Sequence, residues 1–382
     1  MQLANGDIYL DYNATTPTDP QVLAAMEPYL LTEFGNPSSN HALGRETHAA
    51  VEIARNQVAG LLGCLPEEII FTSGGSESNN MALKGIAAKH LNRGEHIVIS
   101  AIEHPAVTQV VNYLKTQGFR ISYLPVNSQG VVNSEDLEEI ITSKTILVSV
   151  MHANNEVGSI QPIEELVRIA HGVGAVFHTD AAQSVSKIPV NVNDLGCDLL
   201  TIAGHKLYAP KGVGVLYVKS GISLEPLIHG ADHERGMRAG TENVAQIVGL
   251  GKAAELAEQG LSEEMQSMGY LRDRLQASLK QAFPEMRVNA LEAPRLPNTL
   301  SISFAGISAL DIIAELDQIM VSSGAACHSS DGQGSGVLEA MGVPLPYQLG
   351  TLRISLGRFC DEEQVKQASG MLIETIEKIQ NQ

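Results

Sequence analysis

Short, continuously apolar runs alternate with stretches of helical periodicity between about residues 68 and 219. These runs have the length of β-strands and lack an alternating polar face, so both faces of their sheet are expected to be covered. Strands that alternate with helices are typical of an α/β domain with a largely parallel sheet. The predicted strands are Ile69–Thr72, His96–Ser100, Arg120–Leu124, Ile146–Met151, Ala175–Thr179, Leu199–Ala203 and Gly214–Val218, and the predicted helices between them include Glu77–His90, Pro105–Gln117, Ser134–Ile141 and Ile163–Gly172.

The pattern changes at about residue 244, where the helical stretches become longer and the strands sparser. This mixture predicts a smaller α+β domain. No low-complexity linker or internal repeat separates the two parts, so the boundary is expected inside a helix. The predicted elements are helices at Val244–Gly260 and Ser262–Phe283, a strand at Thr299–Phe304, a helix at Ala309–Leu316, a strand at Thr351–Ser355 and a last helix from Asp361.

The composition is that of an ordinary globular protein, with 382 residues of which 44% are hydrophobic. No apolar run approaches the roughly 18 residues that span a bilayer. The N-terminus has neither the basic nor the apolar region of a secretion signal, so we expect a cytoplasmic protein without membrane association. The formal net charge of −18 repels nucleic acid on average, which argues against direct nucleic-acid binding.

The four cysteines are scattered, with neither a CxxC pair nor zinc-like spacing, so the sequence predicts no disulfide framework and no metal site. Cys64 and Cys197 lie close to aliphatic segments and are expected to be structural. Cys327 is followed by small and polar residues as far as Gly336. A thiol among such neighbours is accessible enough to act as a nucleophile. A surface cysteine in a flexible loop fits the same local sequence.

Several predicted strands end in residues that carry chemistry. A Gly/Ser-rich turn at residues 72–76 opens a helix, and such a helix start suits a phosphate, although an ordinary cap has the same sequence. Asp180 and Lys206 each end a predicted apolar strand, and in open α/β sheets ligands bind at the carboxyl ends of strands. There an aspartate can pair with a cationic nitrogen and a desolvated lysine can form an imine. The local alternatives are a helix cap for Asp180 and a solvent-facing Lys206.

Three further polar residues complete the candidate chemistry. His104 follows a strand, where an imidazole can stack on a ring or transfer protons, unless it is a loop histidine without function. Asn155 lies in an Asn-Asn-Glu run for which a plain turn is the simpler interpretation. Arg353, flanked by apolar residues, requires a carboxylate from the protein or from a ligand. Taken together, these groups are the set needed to hold pyridoxal phosphate (PLP) and an amino acid.

These residues lie in ordered stretches through which the chain resembles the NifS/IscS group of cysteine desulfurases. That group belongs to the class V aminotransferase-like family of fold-type-I PLP enzymes. The matching stretches run nearly end to end, so the resemblance is far more specific than any single motif. They are residues 9–17, 34–39, 71–79, 152–158, 180–184, 204–206, 233–241, 322–327 and 353–358.

The resemblance implies an α/β protein of the PLP-dependent transferase fold type I, assembled as a homodimer. A large PLP-binding domain with a mostly parallel central sheet is implied at residues 15–257. A smaller α+β domain, which carries the loop of Cys327, is implied at residues 1–14 and 258–382.

The resemblance also implies a role for each matched residue. Lys206 carries the covalent link to the cofactor, His104 stacks over the ring and shuttles protons, and Cys327 attacks the substrate sulfur. Arg353 and Asn155 orient the substrate, Arg353 through the α-carboxylate. The implied cofactor-binding residues are Gly75, Ser76 and His205 at the phosphate, Asp180 at the pyridinium nitrogen, Gln183 at the ring oxygen, Asn155, Lys206, and Thr241 from the partner subunit.

The implied reaction converts L-cysteine to L-alanine and leaves a persulfide on Cys327. The sulfur then passes to an acceptor protein for iron–sulfur cluster, thio-cofactor or nucleic-acid thiolation pathways. A selenocysteine lyase or a cystine C–S lyase is the alternative on the same scaffold. A non-catalytic scaffold is disfavoured because Lys206, Asp180 and Cys327 are all present.

Two departures from the family pattern bear on function. Ala203 stands where relatives often have a serine that binds phosphate. Either Ser73, Ser76 and Thr241 suffice for the phosphate, or cofactor affinity is lower. The sequence ends at Gln382, where housekeeping relatives often continue into a tail that docks the iron–sulfur scaffold protein. A different acceptor, such as a tRNA-thiolation or DNA-phosphorothioation system, is therefore left open.

Overall fold

The computed structural model describes residues 6–324 and 334–381. Its β-strands are β1 (Ile8–Tyr9), β2 (Ile69–Thr72), β3 (His96–Ser100), β4 (Arg120–Leu124), β5 (Thr145–Ser149), β6 (Val176–Asp180), β7 (Leu199–Ala203), β8 (Gly214–Val218), β9 (Arg287–Val288), β10 (Thr299–Ser303), β11 (Ile319–Met320), β12 (Ser322–Ser323) and β13 (Thr351–Ser355). The strands predicted from apolar runs are confirmed, with ends that differ by one or two residues.

The α-helices surround these strands, and none of those described is both long enough and apolar enough to cross a membrane. They are α1 (Pro20–Leu31), α2 (Ala42–Leu62), α3 (Gly75–Lys89), α4 (Pro105–Thr116), α5 (Ser134–Ile140), α6 (Ile163–Gly172), α7 (Val192–Leu195), α8 (Val244–Ala282), α9 (Ala309–Glu315), α10 (Gly336–Ala340), α11 (Leu345–Leu349) and α12 (Glu362–Gln380).

The central sheet has seven strands in the order β2-β8-β7-β6-β5-β3-β4. The five strands from β7 to β4 are parallel, whereas β8 runs antiparallel to both β7 and β2. Every residue of β3, β5, β6 and β7 is buried, as the uninterrupted apolar runs predicted. Because these strands are parallel, the residues that follow them meet at one edge of the sheet.

Helices cover both faces of the central sheet. In β3, Val98 joins an apolar core that includes Val58 of α2 and Leu250 of α8. Its neighbour Ile97 points to the opposite face and joins a second core with Leu83 of α3. Successive side chains of a strand therefore enter two different apolar layers, one on each face of the sheet. These layers hold the sheet, and with it the residues at its carboxyl edge, in place.

A second sheet and its own core form the C-terminal part. The antiparallel sheet β12-β13-β10-β9 packs against α9, α12 and the last turns of α8, with Ile302, Ile354 and Leu372 among its buried residues. Strand β1 pairs with β11, and Ile8 and Leu10 enter this same core. The N-terminal segment thus packs with the C-terminal part of the chain.

A single helix of 39 residues, α8, joins the two parts. The prediction of two helices at Val244–Gly260 and Ser262–Phe283 is wrong. Glycine at position 260 costs a helix only about 1 kcal/mol relative to alanine. Packing outweighs this cost, since Leu250 contacts the large core and Leu275 the smaller one. The predicted domain boundary between residues 257 and 258 falls inside this helix, and the division itself stays a prediction.

Helices α1 and α2 precede the pattern that sequence analysis recognised, and both pack against α8. Their contact is close because small residues face one another. A Cβ at Gly251 of α8 would lie 2.6 Å from the Cα of Ala54 in α2. Alanine and glycine contribute little to a hydrophobic pattern, which is why the sequence signal for this layer is weak.

Candidate active site

A cavity of about 790 Å³ lies at the carboxyl edge of the central sheet and is also lined by Arg353 of β13. This volume suits a small-molecule ligand. Nine of the residues predicted for the site line it together, although they come from distant parts of the sequence. They are Gly75, Ser76, His104, Asn155, Asp180, Gln183, His205, Lys206 and Arg353.

Lys206 lies in the 3₁₀ turn Gly204–Lys206 that directly follows β7. Its Nζ donates hydrogen bonds to the carbonyl oxygen of Asn13 and, at 2.9 Å, to that of Ala14. The amine is therefore held inside the cavity, which argues against the solvent-facing alternative.

Asp180 ends β6 and is only 6% exposed. Its Oδ2 accepts a hydrogen bond from Asn79 Nδ2 at 2.7 Å, and its Oδ1 accepts one from the backbone N–H of Ala182 at 2.9 Å. Two donors offset the burial of a carboxylate. Asn79 was not predicted. It lies four residues after Gly75 in α3 and therefore on the same face of that helix.

The Gly/Ser-rich turn lies between β2 and α3, as predicted. Gly74 has a φ of 148°, a backbone conformation that residues with a side chain rarely adopt. Gly75 and Ser76 begin the 15-residue helix α3, so their backbone N–H groups have no partner within the helix. The turn packs tightly on the end of β7, since a Cβ at Gly75 would lie 3.2 Å from the Cβ of Ala203.

His205 belongs to the same turn as Lys206, and its Nδ1 shares a hydrogen bond of 3.1 Å with Thr15 Oγ1. Burial, followed by the charges of Lys206 and Lys211, lowers the pKa of His205 to about 4. The imidazole is therefore neutral at pH 7 and offers a hydrogen bond, rather than a positive charge, to an anionic ligand.

His104 is the N-cap of α4, and its Nδ1 accepts the backbone N–H of Ala106 at 3.1 Å. Because Nδ1 serves as an acceptor, the exchangeable proton of the neutral ring resides on Nε2. The cap thereby orients the imidazole of a residue that lines the cavity.

Arg353 has a carboxylate partner within the protein and also keeps a donor for a ligand, the two possibilities that its sequence context left open. Its Nη2 donates to Asp11 Oδ1 at 2.7 Å, and its Nη1 donates to the carbonyl oxygen of Asn155 at 3.2 Å. Its Nε is buried and has no hydrogen-bond partner among the described residues. The guanidinium is thus anchored by Asp11 and retains a donor for a ligand. Asp11 was not predicted because it lies far from Arg353 in the sequence.

Two acidic residues of the cavity were also missed. Burial raises the pKa of Glu103 to about 8, although Ser100 and Met151 donate hydrogen bonds to its Oε1. Desolvation likewise raises the pKa of Glu156 to about 7, against the opposing effect of a hydrogen bond from Ser335. Burial therefore favours the protonated form of both carboxyl groups. The available sequence signals were the position of Glu103 directly before His104 and the position of Glu156 directly after Asn155.

Comparison with known proteins identifies the family. The aminotransferase class-V family matches residues 8–368. The cysteine desulfurase IscS of Dictyoglomus turgidum is 46% identical over 375 residues, which cover 98% of this chain and 95% of the relative. The corresponding enzyme of Clostridium botulinum is 44% identical over 365 residues, covering 94% of this chain and 92% of the relative.

Solved structures agree. A NifS-like protein superposes with a TM-score of 0.92 at 40% identity, covering 97% of this chain and all 100% of that one. A structure of SspA in complex with cysteine has a TM-score of 0.80 at 34% identity, covering 93% of this chain and 100% of that one.

The chain belongs to the IscS/NifS-like cysteine desulfurases of the class-V aminotransferase family. The predicted fold class, family and reaction type are confirmed at this level. Enzymes of this family depend on PLP.

The cavity of this desulfurase fits PLP and an amino acid. A phosphate can meet the N–H groups at the start of α3, a pyridinium the carboxylate of Asp180, and an aldehyde the amine of Lys206. The buried, unpartnered Nε of Arg353 matches the carboxylate of an amino acid. Among the described residues, no group of three or more His, Cys, Asp or Glu is arranged to hold a metal.

Of the two remaining predicted residues of the desulfurase, one lines a different cavity and the other lies outside the described residues. Thr241 is exposed and lines a second cavity of about 430 Å³, together with Ser73 and Arg238. Its role in a neighbouring subunit stays a prediction. Cys327 lies outside the described residues, while Gly324 and Gly334 line the main cavity.

Proposed function

We propose that this cysteine desulfurase binds PLP and L-cysteine in the main cavity and takes the substrate sulfur onto Cys327 as a persulfide. The observation that supports the proposal most is the convergence of nine predicted residues on one cavity of suitable size. A scaffold that had lost catalysis would have no reason to keep an amine, a carboxylate, an imidazole and a guanidinium around the same space.

The residues of the large sheet hold the cofactor. Gly75 and Ser76 would hold the phosphate through their N–H groups, and His205 would add a hydrogen bond. Asp180 would pair with the ring nitrogen, Gln183 would donate to the ring oxygen, and Lys206 would form the covalent link. Bound PLP supplies an electron sink that activates the amino acid.

Arg353 and Asn155 orient the substrate. The spare Nε of Arg353 binds the α-carboxylate, while the ion pair with Asp11 keeps the guanidinium in place. Asn155 lines the cavity, and its backbone carbonyl oxygen accepts a hydrogen bond from Arg353. These contacts fix which face of the amino acid meets the other groups.

His104 exchanges protons with the substrate. In the neutral ring Nε2 carries the proton, because Nδ1 accepts the backbone N–H of Ala106. Nε2–H can donate a hydrogen bond to a ligand, whereas a proton taken from the substrate goes to Nδ1 and requires the bond to Ala106 to open.

Cys327 performs the sulfur transfer. Its thiolate attacks the substrate sulfur, an S–S bond forms, and the bond between carbon and sulfur breaks with its electron pair left on carbon. A proton then completes the methyl group of L-alanine. The persulfide passes its outer sulfur to an acceptor protein, for which iron–sulfur assembly, tRNA thiolation and DNA phosphorothioation are the candidate pathways.

Replacing Cys327 with alanine tests the proposal. We expect the purified Cys327→Ala variant to keep the visible absorption of bound PLP, whereas sulfide formation from L-cysteine with a reductant falls by at least about 100-fold. Both are measured on the full chain after loading with PLP.

The control is Cys64→Ala, which removes a thiol whose pKa is raised to about 12 by burial and is therefore unreactive. That variant should retain wild-type activity. Full activity in Cys327→Ala would overturn the assigned mechanism and favour a lyase that acts without a persulfide, with L-selenocysteine and L-cystine as the substrates to compare.

A further inference from the structure

Lys187 is a buried lysine directly behind the wall of the cavity. It follows β6 in the chain, and its side chain is only 4% exposed. Its Nζ donates a hydrogen bond to Gln183 Oε1 at 2.8 Å. It forms no ion pair with any carboxylate of the described residues, which is unusual for a lysine at this depth.

The surroundings of Lys187 oppose a positive charge. Burial, followed by the charges of Lys206 and Arg353, holds its pKa well below the usual range. A buried amine of this kind contributes little electrostatic attraction, so its importance must lie in the geometry of its hydrogen bond.

The hydrogen bond determines the orientation of the Gln183 amide. The Oε1 atom of Gln183 accepts a hydrogen bond from the amine of Lys187. The Nε2 atom of Gln183 donates one to the carbonyl oxygen of Asn13 at 3.0 Å. That carbonyl also accepts from Lys206. A flipped amide would set two carbonyl oxygens against each other, so Lys187 and Asn13 together select one orientation.

In this orientation one N–H of the Gln183 amide remains for a ligand. Nε2 carries two hydrogens, and the bond to Asn13 uses one of them. Gln183 itself lines the cavity, whereas Lys187 does not. The hydrogen-bonded route from Lys187 to a bound ligand therefore runs through Gln183.

We propose that Lys187 is a positioning residue for the cofactor: it holds the amide of Gln183 so that the remaining N–H meets the ring oxygen of PLP. The inference rests on the proposed function of the cavity. It assigns a role to a buried amine for which neither stability nor direct contact with a ligand provides a reason.

The test replaces Lys187 with methionine, an apolar side chain of similar length. We expect the dissociation constant of PLP, measured by titrating apoprotein, to rise about fivefold, as loss of one hydrogen bond to the cofactor predicts. The visible absorption maximum of the loaded enzyme should shift at fixed pH. The melting temperature of the apoprotein should change little, because removal of a desolvated amine offsets the loss of the donor to the buried Gln183 Oε1.

A double-mutant cycle with Gln183→Leu tests the route of the effect. In that background Lys187→Met should change neither the dissociation constant nor the spectrum. Lys187→Leu is measured in parallel, so that the result does not depend on one variant folding.

An unchanged dissociation constant and spectrum in Lys187→Met, or an effect that persists without Gln183, would overturn the inference. Wild-type protein that fails to bind PLP would instead overturn the proposed function, so the two failures are distinguishable.

Discussion

Burial decides the chemical state of single residues in the cavity. Glu103 and Glu156 are acids whose pKa values lie at about 8 and about 7, whereas His205 is a base whose pKa lies at about 4. In all three cases desolvation is the largest cause, and it favours the uncharged form. Asp180 and Arg353 differ from these three residues, because each is held by charge-assisted hydrogen bonds within the protein.

Glu103 should make stability depend on pH. Its pKa of about 8 in the folded protein exceeds the ordinary value of 4.5, so folding favours the protonated form. The resulting stabilisation is complete below the unfolded pKa and is lost as pH rises through about 8. We expect Glu103→Gln to lose this dependence, so that its melting temperature exceeds that of wild type increasingly from pH 5 to pH 9.

The measurement is the thermal unfolding of the apoprotein across that pH range. Glu139→Gln, which removes an exposed carboxylate of α5, serves as the control and should follow the wild-type profile. Parallel profiles for Glu103→Gln and wild type would show that the carboxyl of Glu103 is not protonated in the folded protein.

At the scale of elements, the position of the Gly/Ser-rich turn between β2 and α3 depends on strand β8. Gly214 begins that strand, and a Cβ there would lie 2.6 Å from the Cα of Gly74 and 2.7 Å from the carbonyl oxygen of Ile202. Both neighbours are backbone atoms, which cannot rotate away as a side chain would. The antiparallel strand β8 therefore packs directly against the turn at Gly74 and sets the distance between the turn and β7.

Gly214→Ala should disturb this packing. We expect it to destabilise the protein by about 1–3 kcal/mol, as overpacking does, and to weaken PLP binding because the N–H groups of Gly75 and Ser76 move. Melting temperature and the dissociation constant of PLP are the measurements.

The matched control is Gly370→Ala, at an exposed position of α12 where a Cβ meets no atom within 4 Å. Alanine is the better helix former by about 1 kcal/mol, so this variant should be slightly more stable and bind PLP normally. Wild-type affinity and stability in Gly214→Ala would contradict the role assigned to β8.

At the scale of the whole molecule, the cavity joins two separately packed parts through Asn13. The side chain of Asn13 bonds with Thr299 at 2.8 Å and Asn298 at 3.0 Å, next to the smaller core. Its carbonyl oxygen accepts hydrogen bonds from Lys206 and Gln183, which follow strands β7 and β6 of the central sheet. Relative movement of the two parts would therefore alter the hydrogen bonds of the site directly.

The predicted homodimer allows a test of Thr241. We expect a solution mass of twice the 40.8 kDa chain mass. If Thr241 serves the partner subunit, a mixed dimer of Lys206→Ala and Thr241→Ala chains contains one intact site, because one chain supplies Lys206 and the other Thr241.

Differently tagged chains are co-expressed and the mixed dimer is purified. At a PLP concentration too low to load Thr241→Ala homodimers, the mixed dimer should bind one PLP per dimer. Binding no better than in the Thr241→Ala homodimer would show that Thr241 does not act across the interface.

The sequence by itself determined the family, the α/β class, the strands of the central sheet and the residues expected around the ligand. It could do so because hydrophobic periodicity and ordered motifs are local properties of the chain. Only the tertiary structure decided that α8 is continuous, that Asp11 anchors Arg353, and that Lys187 holds Gln183. Continuity of α8 depends on packing at both of its ends, and burial and long-range hydrogen bonds exist only once distant segments have come together.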